Sequence, residues 1–445
     1  MGQKRVVVID VVGLRPDHFA HPENMPNLAK LADTGTLMTM KPVFPAVTLP
    51  VQASLTTGVF PETHGVVSNG FYFPEHHQVS FWEQASGLVR SEKIWERLHR
   101  KDSQLKTAVL FFQNSLYADC EAVITPKPLH TDDGLVQWCY SKPVGLYESI
   151  SEKIDPFNLY HFWGPMASIE GSRWIAESAV EVMDRIRPHL MFVYLPHLDY
   201  SSQKVGPDDP SMSEELRQID QEVGRIVQGV DALGMKEETI FIVLSEYAFH
   251  AVQGDVALNR VLRENDLLCV RTIAGREYLD FELSPAFAMV DHQTAHLYIK
   301  PGRKTQVRQV LEQVEGIDFL MDTDEKQNLR IDHPRSGDLV AVSARDRWFS
   351  YYWWLDSDKA PDFANRVDIH RKPGYDPLEM FLEPGTHHIS QDTRLIQGSH
   401  GYPPVDERDR IPLLISGQWR ETAGLSEDLS VPDVFHLIEG IFNDD

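Results

Sequence analysis

Residues 6–17, VVVIDVVGLRPD, decide the fold of this chain. The run from Val6 to Ile9 is β-branched throughout, which is typical of a strand buried on both faces, and Asp10 follows it directly. Similar short apolar runs recur, and segments of helical periodicity separate them. This alternation predicts βαβ units, and so an α/β fold with a central, mainly parallel sheet covered by helices on both faces. The predicted strands are 6–9, 107–111, 190–195 and 239–244, and the predicted helices are 25–32, 172–186 and 214–233.

Three acidic residues follow predicted strands: Asp10, Asp199 after 190–195, and Glu246 after 239–244. In parallel sheets, ligands and catalytic groups gather beyond the carboxyl ends of the strands. A carboxylate at such a position can bind a metal ion or cap the next helix, and Asp10 alone does not decide between these roles. The coincidence of three such residues favours a site at this edge.

Thr48 lies in the segment FPAVTLPVQASLTTG, residues 44–58, just before Pro50 and a run compatible with a helix. Its hydroxyl is therefore expected at a helix N-terminus, where it could simply cap the helix. It could also be a nucleophile, because the N–H groups and positive dipole of a helix N-terminus suit a phosphoryl group. A metal ion shared with Asp10 would help to remove its proton.

The composition excludes several classes of protein. Forty-two Lys and Arg against 66 Asp and Glu give a formal charge of −24, which repels polyanions, so we expect no nucleic acid polymer as a partner. An anionic substrate would need local positive charge, which bound metal ions could supply. The three cysteines form no CxxC motif, and no apolar run has the length of a membrane span or signal peptide. We therefore predict a cytoplasmic protein with no membrane partner.

We expect a single catalytic domain over residues 1–445, with inserted cap segments at about 71–165 and 330–390. Both segments are rich in aromatic residues, Gly and Pro and are poorly periodic. The second contains an aromatic cluster that is expected in a core or cap contact, with stacking on a base as the alternative. Its members are Trp348, Tyr351, Tyr352, Trp353 and Trp354. Arg371 and Lys372 either bind a distant phosphate or carboxylate of a substrate or belong to a solvated turn.

The chain resembles the nucleotide pyrophosphatase/phosphodiesterase family of the alkaline phosphatase superfamily. The likeness is dense over residues 5–75, in IDVVGLRPD at 9–17, MPNLAKL at 25–31, FPAVTLP at 44–50 and TGVFPETHG at 57–65. It continues more thinly through YLPHLDYSSQ at 194–203, SEY at 245–247, GSHGY at 398–402 and VPDV at 431–434. The resemblance implies an alkaline phosphatase-like fold and a phosphoric ester hydrolase.

The resemblance also implies roles for individual residues. Thr48 is the implied catalytic nucleophile, and Asn69 the implied substrate-binding residue that contacts a phosphate oxygen. The implied metal ligands are Asp10, Thr48, Asp199, Glu246 and His400. They form two sites, one of Asp199 and His400 with Gln203, the other of Asp10, Thr48 and Glu246 with Tyr247.

Gln203 and Tyr247 stand where the family has histidines. Zinc favours nitrogen and sulfur ligands, whereas oxygen-rich sets suit manganese, magnesium or calcium, so the implied cofactors are two divalent ions, zinc or manganese. Three interpretations remain open. Other histidines could fill the gaps, the enzyme could use one metal or a different metal, or the protein could bind without turnover. The candidate replacements are His197, Asp291 with His292, His296, and Asp368 with His370.

The predicted function is metal-dependent hydrolysis of a phosphodiester or nucleotide pyrophosphate bond through a phosphothreonine intermediate. The partner is then a small phosphorylated substrate. One alternative is a phosphonate or phosphomonoester hydrolase on the same fold, and another is a non-catalytic homologue that binds a phosphorylated ligand. The sequence leaves the oligomeric state open.

Overall fold

A computed structural model describes residues 4–417 and 428–443. The strands, in chain order, are β1 (Arg5–Val11), β2 (Thr36–Met40), β3 (Gly70–Phe73), β4 (Gln78–Phe81), β5 (Thr107–Leu110), β6 (Ala122–Pro126), β7 (Leu129–Thr131), β8 (Gly134–Val136), β9 (Cys139–Lys142), β10 (Leu190–Leu195), β11 (Thr239–Leu244), β12 (His250–Ala251), β13 (Gly254–Val256), β14 (Val270–Ile273), β15 (Arg276–Leu279), β16 (Ala286–Asp291), β17 (Thr294–Ile299), β18 (Ile317–Met321), β19 (Leu339–Ser343), β20 (Arg347–Phe349), β21 (Gly398–Ser399) and β22 (Ile411–Ile415).

The α-helices, in chain order, are α1 (Pro26–Thr34), α2 (Thr48–Thr57), α3 (Pro61–His64), α4 (Ile94–Lys101), α5 (Leu146–Ser151), α6 (Leu159–Phe162), α7 (Ile169–Ile186), α8 (His197–Val205), α9 (Met212–Ala232), α10 (Leu258–Glu264), α11 (Lys304–Leu311), α12 (Thr323–Asn328) and α13 (Val431–Ile441). The predicted strands correspond to β1, β5, β10 and β11. The predicted helices correspond to α1, α7 and α9.

A central sheet carries the fold, with strand order β2-β22-β11-β1-β10-β5-β6-β9. The five strands from β11 to β6 run parallel, and β22 and β9 pair antiparallel at their outer sides. Residues 6–11 of β1 and all of β10 are buried, so side chains on both faces of the sheet are covered. The predicted α/β class with a mainly parallel sheet is confirmed.

Helices cover this sheet in two groups. One group packs α7 against α9, with α1 and α8 also on α9. The other packs α13 against α2 and α4. Apolar side chains from the strands and from both groups join in one core. Burial of this apolar surface is the main term that stabilises the parallel strands.

A second, smaller antiparallel sheet has the order β16-β17-β19-β18. Its strands pack against α10, α11 and the segment after β20 to form a core of their own. The aromatic cluster of residues 348–354 lies in this core, with each ring at most 4% exposed. The interpretation of the cluster as core is therefore confirmed, and its rings are not exposed for stacking on a base.

Both predicted cap segments contribute strands to the two sheets. Residues 107–142 lie inside the first segment, yet they supply β5, β6 and β9 to the central sheet. The strand 107–111 was predicted from the sequence, but β6 and β9 are short and were not. Likewise β19, within the second segment, belongs to the small sheet that begins at Ala286, well before residue 330. Among the described residues, no helix combines the length and the apolar character needed to cross a bilayer.

His64 connects α2 to the loop that follows α3. The Val66 N–H donates to His64 Nδ1 at 3.1 Å, so the ring proton lies on Nε2, which faces Ser54 Oγ at 2.9 Å. Burial, followed by the nearby charges of His333 and Arg335, lowers the pKa of His64 to about 3. The neutral ring is thus part of the folded structure.

This depressed pKa predicts a loss of stability in acid. A histidine with a folded-state pKa of about 3 and a reference value of 6.5 contributes stability above 6.5 that is lost as pH falls toward 3. Between about pH 7 and about pH 5 the wild type should lose about 2 kcal/mol more unfolding free energy than His64→Gln, because the variant has no such proton to bind. Urea unfolding at the two pH values measures the difference. Equal losses in both proteins would contradict this role.

Candidate functional site

The carboxyl edge of the central sheet gathers the three predicted acidic residues. Asp10 lies in β1, level with Tyr194 of β10 on one side and Leu244 of β11 on the other. Asp199 follows β10 and lies in the first turn of α8. Glu246 lies two residues beyond the end of β11. Parallel pairing of three adjacent strands thus brings together residues that are distant in sequence.

Thr48 is the first residue of α2 and is only 3% exposed. Pro50 is tolerated in this first turn because its missing N–H would have no partner within the helix. The helix ends at Gly58, whose φ of 69° is the left-handed conformation that favours glycine at this position. Because α2 begins at Thr48, the predicted position of this residue at a helix N-terminus is confirmed. Thr48 Oγ1 lies 3.3 Å from the hydroxyl of Tyr247.

Asp10 and Glu246 form a buried acidic pair beside Thr48. Both are fully buried, and Glu246 lies within hydrogen-bonding reach of Asp10, Thr48 and Gln52. Neither oxygen of Glu246, nor Oδ1 of Asp10, has a partner of good hydrogen-bond geometry among the described residues. Burial raises the pKa of Asp10 to about 7, and burial together with the charge of Asp10 raises that of Glu246 well above its usual range. The pair is electrostatically uncompensated.

Asp199 and His400 also meet, with Asp199 Oδ1 3.5 Å from His400 Nε2. Unlike the acidic pair, both oxygens of Asp199 accept hydrogen bonds: Oδ1 from the Tyr247 hydroxyl at 2.9 Å and Oδ2 from Gln203 Nε2 at 2.7 Å. Gln203 is on the same face of α8 as Asp199 because four residues separate them. Burial, followed by the charges of Asp199 and Glu246, raises the pKa of Tyr247 well above its usual range, so its phenol stays protonated.

Asn69 is held in place by Asp291, which ends β16. Its backbone N–H donates to Asp291 Oδ2 at 2.8 Å and its side-chain Nδ2 donates to Oδ1 at 3.1 Å. The Oδ1 of Asn69 accepts from the Leu49 N–H, in the first turn of α2, at 2.9 Å. An amide carries two N–H donors, so one remains to face a ligand beside Thr48. Sequence reasoning raised Asp291 only as a substitute ligand and missed this positioning role.

The histidines considered as replacement ligands take other roles. His197 Nε2 lies 2.6 Å from Glu215, and His296 is hydrogen-bonded to the backbone at Val67 and Gly337. His370 faces the backbone oxygen of Phe81. Only His292 reaches the site, where its ring packs against His400, with 3.7 Å between ring centroids. Within the part of the chain that the structure describes, no three His, Cys, Asp or Glu side chains converge as metal ligands.

Arg371 and Lys372 lie in ion pairs. Arg371 pairs with Asp362 and Asp368, and Lys372 is buried against Asp376 at 2.8 Å and Glu379 at 2.7 Å. These contacts correct both earlier interpretations of Lys372, because it is neither solvated nor available to a substrate. It stabilises the segment that carries Tyr375, whose hydroxyl donates to Gln203 Oε1 at 2.9 Å.

The site is strongly acidic. Asp10, Asp199, Glu246 and Asp291 are each at most 6% exposed, and among the described residues none of them forms an ion pair with Lys or Arg. An anionic ligand would be repelled by such a site unless a cation entered with it. The unpartnered oxygens of Asp10 and Glu246 and the Thr48 hydroxyl are suitable ligands for a hard divalent cation.

Comparisons with known proteins show which family and fold the chain resembles. A family model described as type I phosphodiesterase / nucleotide pyrophosphatase matches residues 6–376. An uncharacterised pyrophosphatase/phosphodiesterase of Schizosaccharomyces pombe is 23% identical over 287 residues, which cover 62% of this chain and 50% of that protein. The chain spans about half or less of the length of the curated relatives it matches.

Two solved structures share the fold. Murine ectonucleotide pyrophosphatase/phosphodiesterase 5, an inactive variant in complex with AMP, has a TM-score of 0.64 at 16% identity, covering 99% of this chain and 95% of that one. Phosphonoacetate hydrolase from Sinorhizobium meliloti, in complex with phosphonoformate, has a TM-score of 0.63 at 15% identity, covering 99% and 96%. These likenesses confirm the predicted alkaline phosphatase-like fold.

The hydrogen bonds that Asp291 accepts from Ser68 and Asn69 predict the effect of Asp291→Asn. An asparagine presents one acceptor and two N–H donors to the three donors of Ser68 and Asn69 that now contact Asp291. Loss of these charge-assisted bonds should lower the unfolding free energy by about 2 kcal/mol in urea titrations. Asp33→Asn, at an exposed position of α1, is the matched control and should change it by less than about 0.5 kcal/mol. Equal effects of the two substitutions on the unfolding free energy would contradict this stabilising role of Asp291.

Proposed function

Because the chain belongs to the type I phosphodiesterase / nucleotide pyrophosphatase family, we propose that it hydrolyses phosphodiester or nucleotide pyrophosphate bonds with Thr48 as nucleophile. The observation that carries the proposal is the position of the Thr48 hydroxyl. It lies buried at the N-terminus of α2, beside the acidic pair Asp10–Glu246 and the oriented amide of Asn69. No other described feature brings a hydroxyl, an oriented amide and uncompensated carboxylates together in this way.

The cation that the family implies fits one part of the site. Asp10, Thr48 and Glu246 would hold it, through the carboxylate oxygens that lack partners and through the Thr48 hydroxyl. Bound there, a divalent cation would lower the pKa of the hydroxyl and attract the phosphate. The donors are oxygens, which favours manganese or magnesium over zinc.

Each residue then has a defined task. Thr48 Oγ attacks phosphorus, a bond forms between them, and the bond from phosphorus to the leaving oxygen breaks. The second side-chain N–H of Asn69 and the Thr48 N–H at the start of α2 would donate to the non-bridging oxygens, whose negative charge grows in the transition state. Water then attacks the same phosphorus, the bond from phosphorus to Thr48 Oγ1 breaks, and the product leaves as a phosphomonoester while the Thr48 hydroxyl is restored.

The substrate class rests on the family and on one structural neighbour. Murine ectonucleotide pyrophosphatase/phosphodiesterase 5 is solved with AMP, which is a nucleoside monophosphate of the kind that cleavage of a nucleotide pyrophosphate releases. For this chain we propose a small nucleotide substrate in a cytoplasmic protein, with the cation neutralising the acidic site. A chain of net charge −24 has little general attraction for phosphate, so the local cation is decisive.

Substitution of Thr48 tests the proposal. Thr48→Ala should lower kcat/KM for a nitrophenyl phosphodiester at least about a thousandfold, because the nucleophile is removed. Thr48→Ser should retain measurable turnover. Thr57→Ala is the matched control, because it removes a buried hydroxyl that donates to Ala53 O at 2.6 Å at the far end of the same helix. It should keep near wild-type kcat/KM.

The outcomes of this test separate the alternatives. Full turnover by Thr48→Ala with manganese present would contradict a nucleophilic Thr48 and leave it as a helix-capping residue. A phosphomonoester and phosphonoacetate, measured in the same panel, should be poorer substrates than the diester. Absence of hydrolysis of every substrate by a folded, cation-loaded wild type would instead favour a homologue that binds without turnover.

A further inference from the structure

We infer that this site holds one cation instead of two, and that the Tyr247 hydroxyl, placed between Thr48 and Asp199, replaces the second. The inference rests on the proposed function and makes it more specific. It follows from the different ways in which the two groups of acidic residues are satisfied. The pair Asp10–Glu246 keeps unpartnered oxygens, whereas both oxygens of Asp199 already accept hydrogen bonds from neutral side chains.

Both carboxylate oxygens of Asp199 already accept a hydrogen bond. The hydrogens of the Tyr247 hydroxyl and the Gln203 amide point at its two oxygens, at 2.9 Å and 2.7 Å. The orientation of Gln203 is set by Tyr375, which donates to its Oε1 at 2.9 Å. Gln203 therefore offers Asp199 an N–H and turns its only good ligand atom away. A cation would have to displace all three of these hydrogen bonds.

His400 alone does not make a second site. Its Nδ1 lies 2.8 Å from the carbonyl oxygen of Ala46, which can only accept, so Nδ1 carries the proton and Nε2 the lone pair. The ring stacks on Tyr247 with 3.5 Å between centroids and an angle of 3°, and His292 packs on its other face. Tyr375 continues the stack beyond His292 at 3.9 Å. A zinc site of this kind needs three protein ligands, and within residues 4–417 and 428–443 His400 is the only imidazole whose ring nitrogen faces Asp199.

Asp10 and Glu246, in contrast, have carboxylate oxygens that accept no hydrogen bond. Asp10 Oδ1 and both oxygens of Glu246 are buried without a hydrogen-bond partner among the described residues. A polar atom in this condition is costly, more so when it is charged. Two carboxylates and one divalent cation sum to zero charge, so a single ion compensates the pair. Asp199 needs none, because its charge is spread over the two hydrogen bonds it accepts.

Titration of the metal-stripped protein of residues 1–445 with Mn²⁺ tests the inference without measuring activity. Calorimetry, with metal analysis after dialysis, should give one ion per chain. Glu246→Gln should weaken Mn²⁺ binding by at least about tenfold, while the matched His400→Gln should change it by less than about twofold. Two ions in the wild type, no ion, or equal losses in the two variants would overturn the inference.

A gain of binding provides the converse test. The double variant Gln203→His with Tyr247→His supplies two imidazoles beside Asp199 and His400 and removes the replacing hydroxyl, so it should bind two ions per chain. Circular dichroism and melting temperature establish that each variant is folded. If the double variant does not fold, the single variants Gln203→His and Tyr247→His are titrated instead. A folded double variant that still binds one ion would overturn the role given to Tyr247.

Hydrolysis measured on the same samples separates this inference from the proposed function. Two Mn²⁺ ions with Thr48-dependent hydrolysis would contradict the single-cation site and leave the function standing. One bound ion without hydrolysis of any phosphodiester would support the single-cation site and contradict the proposed function.

Discussion

The structure depends on how four buried carboxylates are satisfied at the carboxyl edge of one parallel sheet. None of them pairs with Lys or Arg among the described residues, so each must find hydrogen bonds or a cation. Asp291 is satisfied by Ser68 and Asn69, and Asp199 by Tyr247 and Gln203. Among the four, only the Asp10–Glu246 pair keeps carboxylate oxygens without a donor, and it lies beside Thr48. The chemistry proposed for the site follows from this difference.

The fold explains why these groups meet. Pairing of β1 with both β10 and β11 aligns Asp10 with the ends of its neighbours, and the short connections that follow carry Asp199 and Glu246 to the same point. The small second sheet contributes Asp291 from the end of β16, which fixes Asn69 from the side opposite α2. The site is therefore complete only when the two cores pack together.

Much of this could be predicted from the sequence. Continuous β-branched runs identified the buried strands, and Asp10, Asp199, Glu246 and Thr48 were placed by the strand or helix next to them. Their convergence then follows from the rule for parallel sheets. The roles as ligands and nucleophile implied by the family resemblance stay predictions. These predictions used only local pattern and a general rule of topology.

What could not be predicted depends on contacts between distant segments. Nothing near Lys372 in sequence reveals that it is buried against Glu379, and a basic residue beside Pro373-Gly374 is as typical of an exposed turn. The Tyr247 hydroxyl likewise reaches Asp199 only through the packing of rings around His400. Short antiparallel strands such as β18 and β19 lack clear periodicity, so the sequence did not predict the second sheet.

The central claim is that Thr48 carries the phosphoryl group between substrate and water. The stereochemical course at phosphorus tests it most directly, in the hydrolysis of a chiral phosphorothioate diester in isotopically labelled water by the cation-loaded wild type. Two in-line displacements, the first by Thr48 and the second by water, predict net retention of configuration. Net inversion would mean that water attacks the substrate directly, and it would contradict the account.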